Sequence, residues 1–411
     1  MNSTQTLATR HPVAGIPRAA KLIFRLLQRL QHGMITVHGP GGFSQTFGQP
    51  GTSALHVRVM LDDWQVLERC LKSGDIGFAE TYMDGRWRAD HLPALIDLLA
   101  RNRAAMERAV YGAWFSGLVY RLRHMVQANS RRGAKRNVAA HYDLGNGFYR
   151  LWLDPSMTYS SALFEGDGSR GLEDAQAAKY RRILARLAPR PGQRILEIGC
   201  GWGGFAELAA REHGVHVTGL TLSGEQLVFA RERLARAGLA GQSEFLLTDY
   251  RDLIQTFDHI VSIEMFEAVG EADWDDYFDC VRRCLKPGGR ALVQTITIDD
   301  ALFDRYRAGT DFIQQYIFPG GMLPSPQAFT ARARRADLAV GDTFCFGRDY
   351  AETLKRWRAD FMAALPAVRG LGFDERFLRL WDFYLAYCEG AFNAGSTDVI
   401  QFELTRLAGA K

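Results

Sequence analysis

The chain has 411 residues, 47% of them hydrophobic and 23% charged, with a net charge of +4 and an isoelectric point near 8.7. That length exceeds one ordinary domain and predicts two. The mild positive charge gives no case for a nucleic-acid partner, and no window approaches the roughly 18 apolar residues of a membrane span.

Six scattered cysteines without paired or zinc-type spacing read as reduced thiols of a cytoplasmic protein, with no metal site expected. The N-terminus lacks a signal-peptide h-region. Residues 1–17 read as a disordered tail. From Arg18 to Gln31 a helical pattern sets Leu22, Ile23, Leu26, Leu27 and Leu30 on one face and Arg18, Lys21, Arg25 and Arg29 on another. Two readings stand for this helix: it lies on an anionic lipid surface, or it is docked with a solvated basic side. Alternation over Met34–Val37 and Leu55–Leu61, with helices over Trp64–Lys72 and Leu92–Asn102, completes a small α+β domain expected at 18–125. A second basic cluster (Arg121, Arg123, Arg131, Arg132, Lys135, Arg136) precedes the second domain, and its Asn-Ser-Arg-Arg-Gly stretch reads as part of an exposed linker expected at 126–140. Two basic runs together favour anionic membrane headgroups.

From Leu172 onward strands and helices alternate, the signature of a doubly wound parallel sheet, within a domain expected at 141–411. A helix over Leu172–Leu187 leads into a buried strand (Ile195, Leu196, Ile198), which breaks into Gly199-Cys-Gly-Trp-Gly-Gly204 and a helix from Phe205 to Arg211. Glycines here let the backbone approach a ligand, and the helix-start amides face it. Gly199, Gly201 and Gly204 also satisfy a dinucleotide fingerprint. That fingerprint wants an acid at the tip of the second strand, and Val215–Gly219 has none. Glu197, two residues before the glycines, suits the cationic amino group of a methionine moiety. The pattern E-x-G-x-G-x-G resembles motif I of class I S-adenosylmethionine methyltransferases.

Further along, Ser223 with Gln226 forms a capping box for a helix through Arg236. Strands are expected at Phe245–Leu247, Ile260–Ile263 and Ala291–Ile298, with a helix at Trp274–Leu285 and a turn at Lys286–Gly289. The stretch Asp299–Arg335 sits where a substrate-covering insertion belongs. A strand near Val340–Phe346, long helices through Cys388 and a closing strand near Val399–Leu404 finish the pattern.

Several motifs occur in order: His141-Tyr-Asp-Leu-Gly-Asn-Gly-Phe-Tyr149, Met157-Thr-Tyr-Ser-Ser-Ala-Leu-Phe164, the glycine turn, Ser262-Ile-Glu-Met-Phe-Glu-Ala-Val-Gly270, Gln315-Tyr-Ile-Phe-Pro-Gly-Gly-Met-Leu-Pro-Ser325 and Tyr387-Cys-Glu-Gly-Ala-Phe392. Together they resemble the cyclopropane-fatty-acyl-phospholipid synthase family, which includes the mycolic acid cyclopropane synthases. Ala79-Glu-Thr-Tyr-Met-Asp-Gly-Arg-Trp87 resembles the accessory domain of the bacterial phospholipid enzymes.

The resemblance implies a class I methyltransferase sheet with a smaller N-terminal lipid-binding domain. It also implies a reaction: the double bond of an acyl chain attacks the sulfonium methyl of S-adenosylmethionine, and the carbocation loses a proton and closes a ring. Such a site must align the methyl, exclude water and hold one base. By matching motif, Tyr159 and Ser160 resemble contacts to the methionine end of the cofactor. Glu197, Gly199, Cys200, Gly201 and Trp202 form the turn, with Arg194 on its approach. Thr221 and Gln226 take the ribose side, and Tyr250 and Arg251 the adenine side. Tyr316 and Phe318 wall an acyl tunnel.

In the family, a bicarbonate ion held by cysteine, glutamate, histidine, tyrosine and a backbone amide accepts the proton. Glu267, Tyr350 and the amide of Ile296 match three of these. The cysteine position is Ser161 and the histidine position is Gln294, both still hydrogen-bond donors. Glu267, and beside it Glu264, read either as site carboxylates or as salt-bridged helix residues. Cys388 matches a cysteine of the family's site and reads otherwise as a buried structural thiol.

The departures at Ser161 and Gln294 leave two products in view, a cyclopropane and a methyl-branched or methylene chain. A catalytically inactive lipid-binding protein is the rival from another class. The resemblance further implies a peripheral enzyme on the inner membrane face, acting on unsaturated phospholipids, and a homodimer.

Overall fold

A computed structural model describes residues 15–49, 55–105 and 144–406. They fall into two compact units: the described residues up to Ala105 with Glu375–Phe383, and those from 144 to Asp374 with Tyr384 onward. The predicted linker at 126–140, its basic cluster, and the predicted tail apart from residues 15–17 lie outside the described residues.

The first unit is built on a four-stranded sheet in the order β2-β1-β3-β4: β1 (Met34–Gly39), β2 (Phe43–Gly48), β3 (His56–Leu61) and β4 (Trp87–Ala89). β1 runs antiparallel to β2 and parallel to β3, and β4 closes the edge antiparallel to β3. β2 is absent from the sequence reading because three consecutive residues, Ser44 to Thr46, face solvent and leave only Phe43 and Phe47 as signal. β4 is three residues long, too short to show a period.

Helix α1 (Arg18–Leu27) buries Ala20, Phe24, Leu26 and Leu27, and its Phe24 ring lies 5.1 Å from both Phe43 and Phe47 and 6.0 Å from Trp64. Phe24, Leu26 and Leu27 each contribute about 1.5–3 kcal/mol by staying out of water. The apolar stripe therefore belongs to the unit's own core, while Arg18, Lys21, Arg25 and Arg29 face solvent with Leu22 among them. Of the two readings offered for this helix, the docked one describes it.

Helix α2 (Gln65–Met83) outruns the predicted Trp64–Lys72 because Gly74 (φ 59°, ψ −135°) breaks the helical path and the helix resumes beyond it. The 79–87 motif is structural. Trp87 stacks on Phe78 at 4.0 Å and donates its indole N–H to the Phe78 carbonyl at 3.1 Å, and Tyr82 donates to Asp382 at 2.5 Å. Helix α3 (Leu92–Arg101) ends at Asn102, whose buried amide is fully engaged by Gln31, His32 and Leu98.

The second unit carries a seven-stranded sheet in the order β10-β11-β9-β8-β5-β6-β7. The strands are β5 (Arg194–Ile198), β6 (His216–Thr221), β7 (Ser243–Leu247), β8 (Phe257–Ile263), β9 (Leu285–Ile298), β10 (Leu338–Cys345) and β11 (Thr397–Arg406). β5 to β9 are parallel, and β11 is antiparallel to both β9 and β10. The expected Lys286–Gly289 turn is a bulge inside β9: pairing steps from Phe257–Leu285 to His259–Arg290.

Two cores cover the two faces, as strand alternation requires. Ile195 meets helices α4 (Leu172–Leu187), α5 (Gly204–His213) and α6 (Gly224–Arg236), while Leu196 and Ile198 meet α7 (Trp274–Cys284) and α8 (Pro326–Arg335). Ser223 caps α6 by accepting from the Gln226 N–H at 3.3 Å. The reciprocal half of the predicted box is missing, because Ser223 N–H donates to Thr221 and the Gln226 side chain accepts from the Thr221 hydroxyl at 2.9 Å. Helices α9 (Gly347–Ala363) and α10 (Glu375–Ala394) complete the fold.

Candidate active site

The chain order reverses between β5 and its neighbours, β8 on one side and β6 on the other, which places a crevice at the C-terminal end of β5. The glycine turn lies there. Gly199, Gly201 and Gly203 take φ of 84°, 51° and 80°, a region that side chains resist. A Cβ on Gly199 would stand 2.9 Å from Met265, so the missing side chain lets the 264–267 loop close against the turn. The amides of Gly199 and Cys200 both donate to the Leu220 carbonyl, at 3.1 and 2.8 Å, fixing the turn to the end of β6. Trp202 is buried, with its N–H donated to Asn146 at 2.6 Å and its ring 5.1 Å from Tyr149. Arg194 starts β5 at the opposite end of the strand, where its amide donates to Asp258.

Glu197 is buried on the α4–α5 side, and its Oε2 has no hydrogen-bond partner. Burial raises its carboxyl well above the usual range. A buried acid of this kind is costly until a cation or donor satisfies it. Together with an open glycine cradle, it fits the positively charged methionine end of S-adenosylmethionine. Tyr250 packs on Tyr277 at 5.6 Å, and Arg251 is clamped by Asp249 at 2.9 and 2.7 Å, so the pair expected on the adenine side is braced by its own loop.

The residues expected to handle the proton come from β9, α9 and the loops around 161 and 264–267. Glu264, just past β8, has φ 51°, a left-handed value that costs a glutamate about 1–3 kcal/mol. Its carboxylate accepts from the Ser161 N–H at 2.8 Å, the Gln294 amide at 2.7 Å and the Tyr350 hydroxyl at 2.7 Å. Glu267 accepts from the Ile296 N–H, while its Oε2 is buried without a partner. Burial, and then the neighbouring Glu264 charge, push Glu267 up to about 8.

The residues expected to hold bicarbonate are thus gathered, but toward carboxylates of the chain itself. Ser161, Gln294 and Tyr350 serve Glu264, and Ile296 serves Glu267. A free anion does not fit a place whose donors already bind a fixed carboxylate. The salt-bridge alternative for Glu264 and Glu267 fails as well, since Glu264 is held by neutral donors and both acids lie in a non-α loop.

Two residues absent from the sequence reading complete the site. Lys179 and Gln176 are buried on α4, where Gln176 donates to the Ser160 carbonyl at 2.8 Å and Lys179 donates to the Ser160 hydroxyl and to Gln176. Burial pulls Lys179 down to about 7, against the pull of Glu264, Asp154 and Glu197. The buried stripe Gln176, Lys179, Ile183, Leu187 at spacings of three and four was the available signal.

Around these groups stand aromatic rings. Tyr159 shares a 2.6 Å hydrogen bond with Tyr384, and its ring lies 5.5 Å from Tyr149, 5.6 Å from Trp152 and 5.4 Å from Trp357. Phe318 meets Tyr384 edge-on at 6.3 Å, and Tyr316 stacks on Phe312 at 5.7 Å. The loop carrying Phe318 is tied to the acids, because Met322 N–H donates to the Glu267 carbonyl at 2.8 Å. Aromatic faces attract a neighbouring cation by about 0.5–2 kcal/mol each. Cys388 is half-buried, and burial raises its thiol, so it stays protonated.

Fold and site together define a class I methyltransferase that uses S-adenosylmethionine. Residues 129–402 match the mycolic acid cyclopropane synthetase family, and the chain belongs to it. It is 38% identical over 343 residues to tuberculostearic acid methyltransferase UfaA1 of Mycobacterium tuberculosis, covering 82% of this chain and 80% of that protein. It is 37% identical over 358 residues to the cyclopropane-fatty-acyl-phospholipid synthase of Escherichia coli K12, covering 87% and 89%. Among solved structures, the cyclopropane synthase MmaA2 of M. tuberculosis aligns with a TM-score of 0.62 at 31% identity, over 66% of this chain and 98% of that one. CmaA1 complexed with SAH and CTAB aligns with the same score at 34% identity and the same coverage. The protein is an S-adenosylmethionine-dependent enzyme of the cyclopropane synthase and fatty-acid methyltransferase group.

Proposed function

We propose that this enzyme transfers a carbon from S-adenosylmethionine to the cis double bond of unsaturated acyl chains in membrane phospholipids, forming a cyclopropane. The observation that carries the reading is the pair Glu264 and Glu267, half-buried acids on one loop that closes against the glycine turn through Met265. When bound, the cofactor supplies an electrophilic methyl. The chain's residues do the rest. The Tyr149, Trp152, Tyr159 and Trp357 rings keep water away from a carbocation and face it with electron-rich surface. Glu267 stabilises the cation, and the Glu264 carboxylate stands where a proton acceptor is needed. In this reading the Glu264 carboxylate takes a proton from the added carbon, and the ring closes.

A second product reading rests on the similarity to a protein named for tuberculostearic acid. In it the proton leaves a neighbouring chain carbon to give a methyl-branched alkene, or a hydride first shifts from the carbon bearing the new methyl and that methyl then loses the proton to give an open methylene chain. Both products add the same mass, so mass alone does not separate them. Proton NMR of fatty acids from cells expressing the enzyme does. Signals far upfield support the ring, and an added methyl or olefinic methylene without them supports the open chain.

Access to lipid is assigned to charge. With its apolar stripe used in the core, α1 offers Arg18, Lys21, Arg25 and Arg29 as an electrostatic contact for the inner membrane face, worth about 1 kcal/mol per basic residue. Binding to anionic vesicles is expected to weaken as salt rises and to fall on changing these four residues to glutamine. Equal binding to neutral vesicles contradicts this.

A further inference from the structure

Gln294 stands at the position that the family resemblance matches to a histidine, and its behaviour is set from a distance. It is fully buried in β9, directly opposite Gln401 of β11, also buried. Gln401 donates its amide to the Gln294 carbonyl oxygen at 3.0 Å, and Gln294 donates in turn to Glu264 at 2.7 Å. On its other side Gln401 accepts from a guanidinium nitrogen of Arg182, on α4, at 2.5 Å. Four side chains from one helix, two strands and the site loop thus form an unbroken line.

The line has a direction, and arginine sets it. A side-chain amide can turn over and exchange its donor and acceptor ends, so two facing glutamines alone leave either sense open. A guanidinium only donates. Gln401 must therefore present Oε1 to Arg182 and its NH2 to Gln294, and Gln294 must present its own NH2 to Glu264. Reversing the line sets N–H against N–H at Arg182 and a carbonyl against a carboxylate at Glu264. Both are costly in a buried place.

Arg182 is itself held. It lies over the Phe344 ring at 3.8 Å and pairs with Asp342 at 3.3 Å, with its side chain 18% exposed. Asp342 also pairs with Arg186.

We propose that Arg182 is a positioning residue of the carbon-transfer site, acting through Gln401 and Gln294 to keep a donor on the Glu264 carboxylate. The proposal rests on the function reading above, and it assigns a role to residues that touch neither cofactor nor lipid.

The test is a set of variants in the full-length enzyme, assayed with S-adenosylmethionine and unsaturated phospholipid vesicles. Arg182→Leu and Gln401→Leu are each expected to lower kcat about tenfold, the effect of one misaligned donor in a buried site, with cofactor Kd within about twofold of wild type. The double variant should lose no more than the larger single loss, because both break one line. Arg182→Lys still only donates and should keep most of kcat. Asp342→Ala removes the outer ion pair of Arg182 but leaves its contacts to Phe344 and Gln401, so it should lower thermal stability and lower kcat by less than Arg182→Leu does.

Wild-type kcat in Arg182→Leu, or additive losses in the double variant, overturns the relay. If Arg182→Leu does not fold, Gln401→Leu decides by the same comparison. A wild-type enzyme that moves no carbon overturns the function reading instead. The relay is then decided by denaturant unfolding of the same cycle, where additive destabilisation counts against it.

Discussion

Replacing Glu264 by glycine is expected to lower kcat about 10²- to 10⁴-fold, the range for removing a positioned proton acceptor, while the protein remains folded. Glycine takes the φ of 51° at this position without strain, so the backbone gains where the side chain is lost. The vacated place keeps the Ser161 N–H, the Gln294 amide and the Tyr350 hydroxyl, three donors pointed at one spot. Added bicarbonate should settle there and restore part of the lost turnover. Wild-type turnover, by contrast, should not respond to bicarbonate, because its anion is covalently part of the chain. Turnover measured in carbon-dioxide-free buffer, with and without added bicarbonate, checks both statements. A wild-type enzyme stimulated by bicarbonate contradicts the assignment of Glu264.

Glu267→Gln is expected to cut kcat by a similar factor and to leave cofactor affinity near normal. The pH dependence gives this substitution a signature. Burial and the Glu264 charge raise Glu267 from 4.5 to about 8, so below about pH 8 it holds a proton and carries no charge to face a cation. Turnover of the wild type should rise with pH through this region, and the rise should vanish in Glu267→Gln. Stability carries the opposite slope. Between pH 4.5 and about 8 the folded protein keeps a proton on Glu267 that the unfolded chain has released, so this group makes stability fall as pH rises. Glu267→Gln should flatten that part of the stability profile. Lys179, pulled down to about 7, acts in the other direction: between about 7 and 10.5 the unfolded chain holds the extra proton, and stability rises with pH on its account.

How far the sequence revealed this site follows from the range of the interactions. The glycine strand, α4 and the Ser223 cap are local patterns, and each matches the structure within a residue or two. β2 escaped because an edge strand with one buried face of two phenylalanines has almost no period. α2 escaped in part because a single glycine interrupts it without ending it. In the site, Ser161, Gln294, Tyr350 and Ile296 were visible only through motif resemblance, and their convergence on Glu264 and Glu267 spans up to 103 residues of chain. No local rule predicts that Ser161 and Gln294, read as weakened ligands for a free ion, instead hold a carboxylate three residues from Glu267. Lys179 lay on a legible helical stripe, but a lysine there reads as solvated until the fold buries it. Gln401 carried no signal, since its role depends on register across β11 and β9.

The roles proposed for Glu264, Glu267 and Gln294 all depend on delivery of a sulfur-bound carbon to an alkene. Its most direct measurement is incubation of the purified enzyme with methyl-labelled S-adenosylmethionine and phospholipid vesicles, followed by counting of label in the extracted fatty acids. Label is expected in chains that carried a cis double bond, and none from vesicles of fully saturated lipid. Cofactor binding without any label in unsaturated lipid, or equal labelling of saturated lipid, contradicts it.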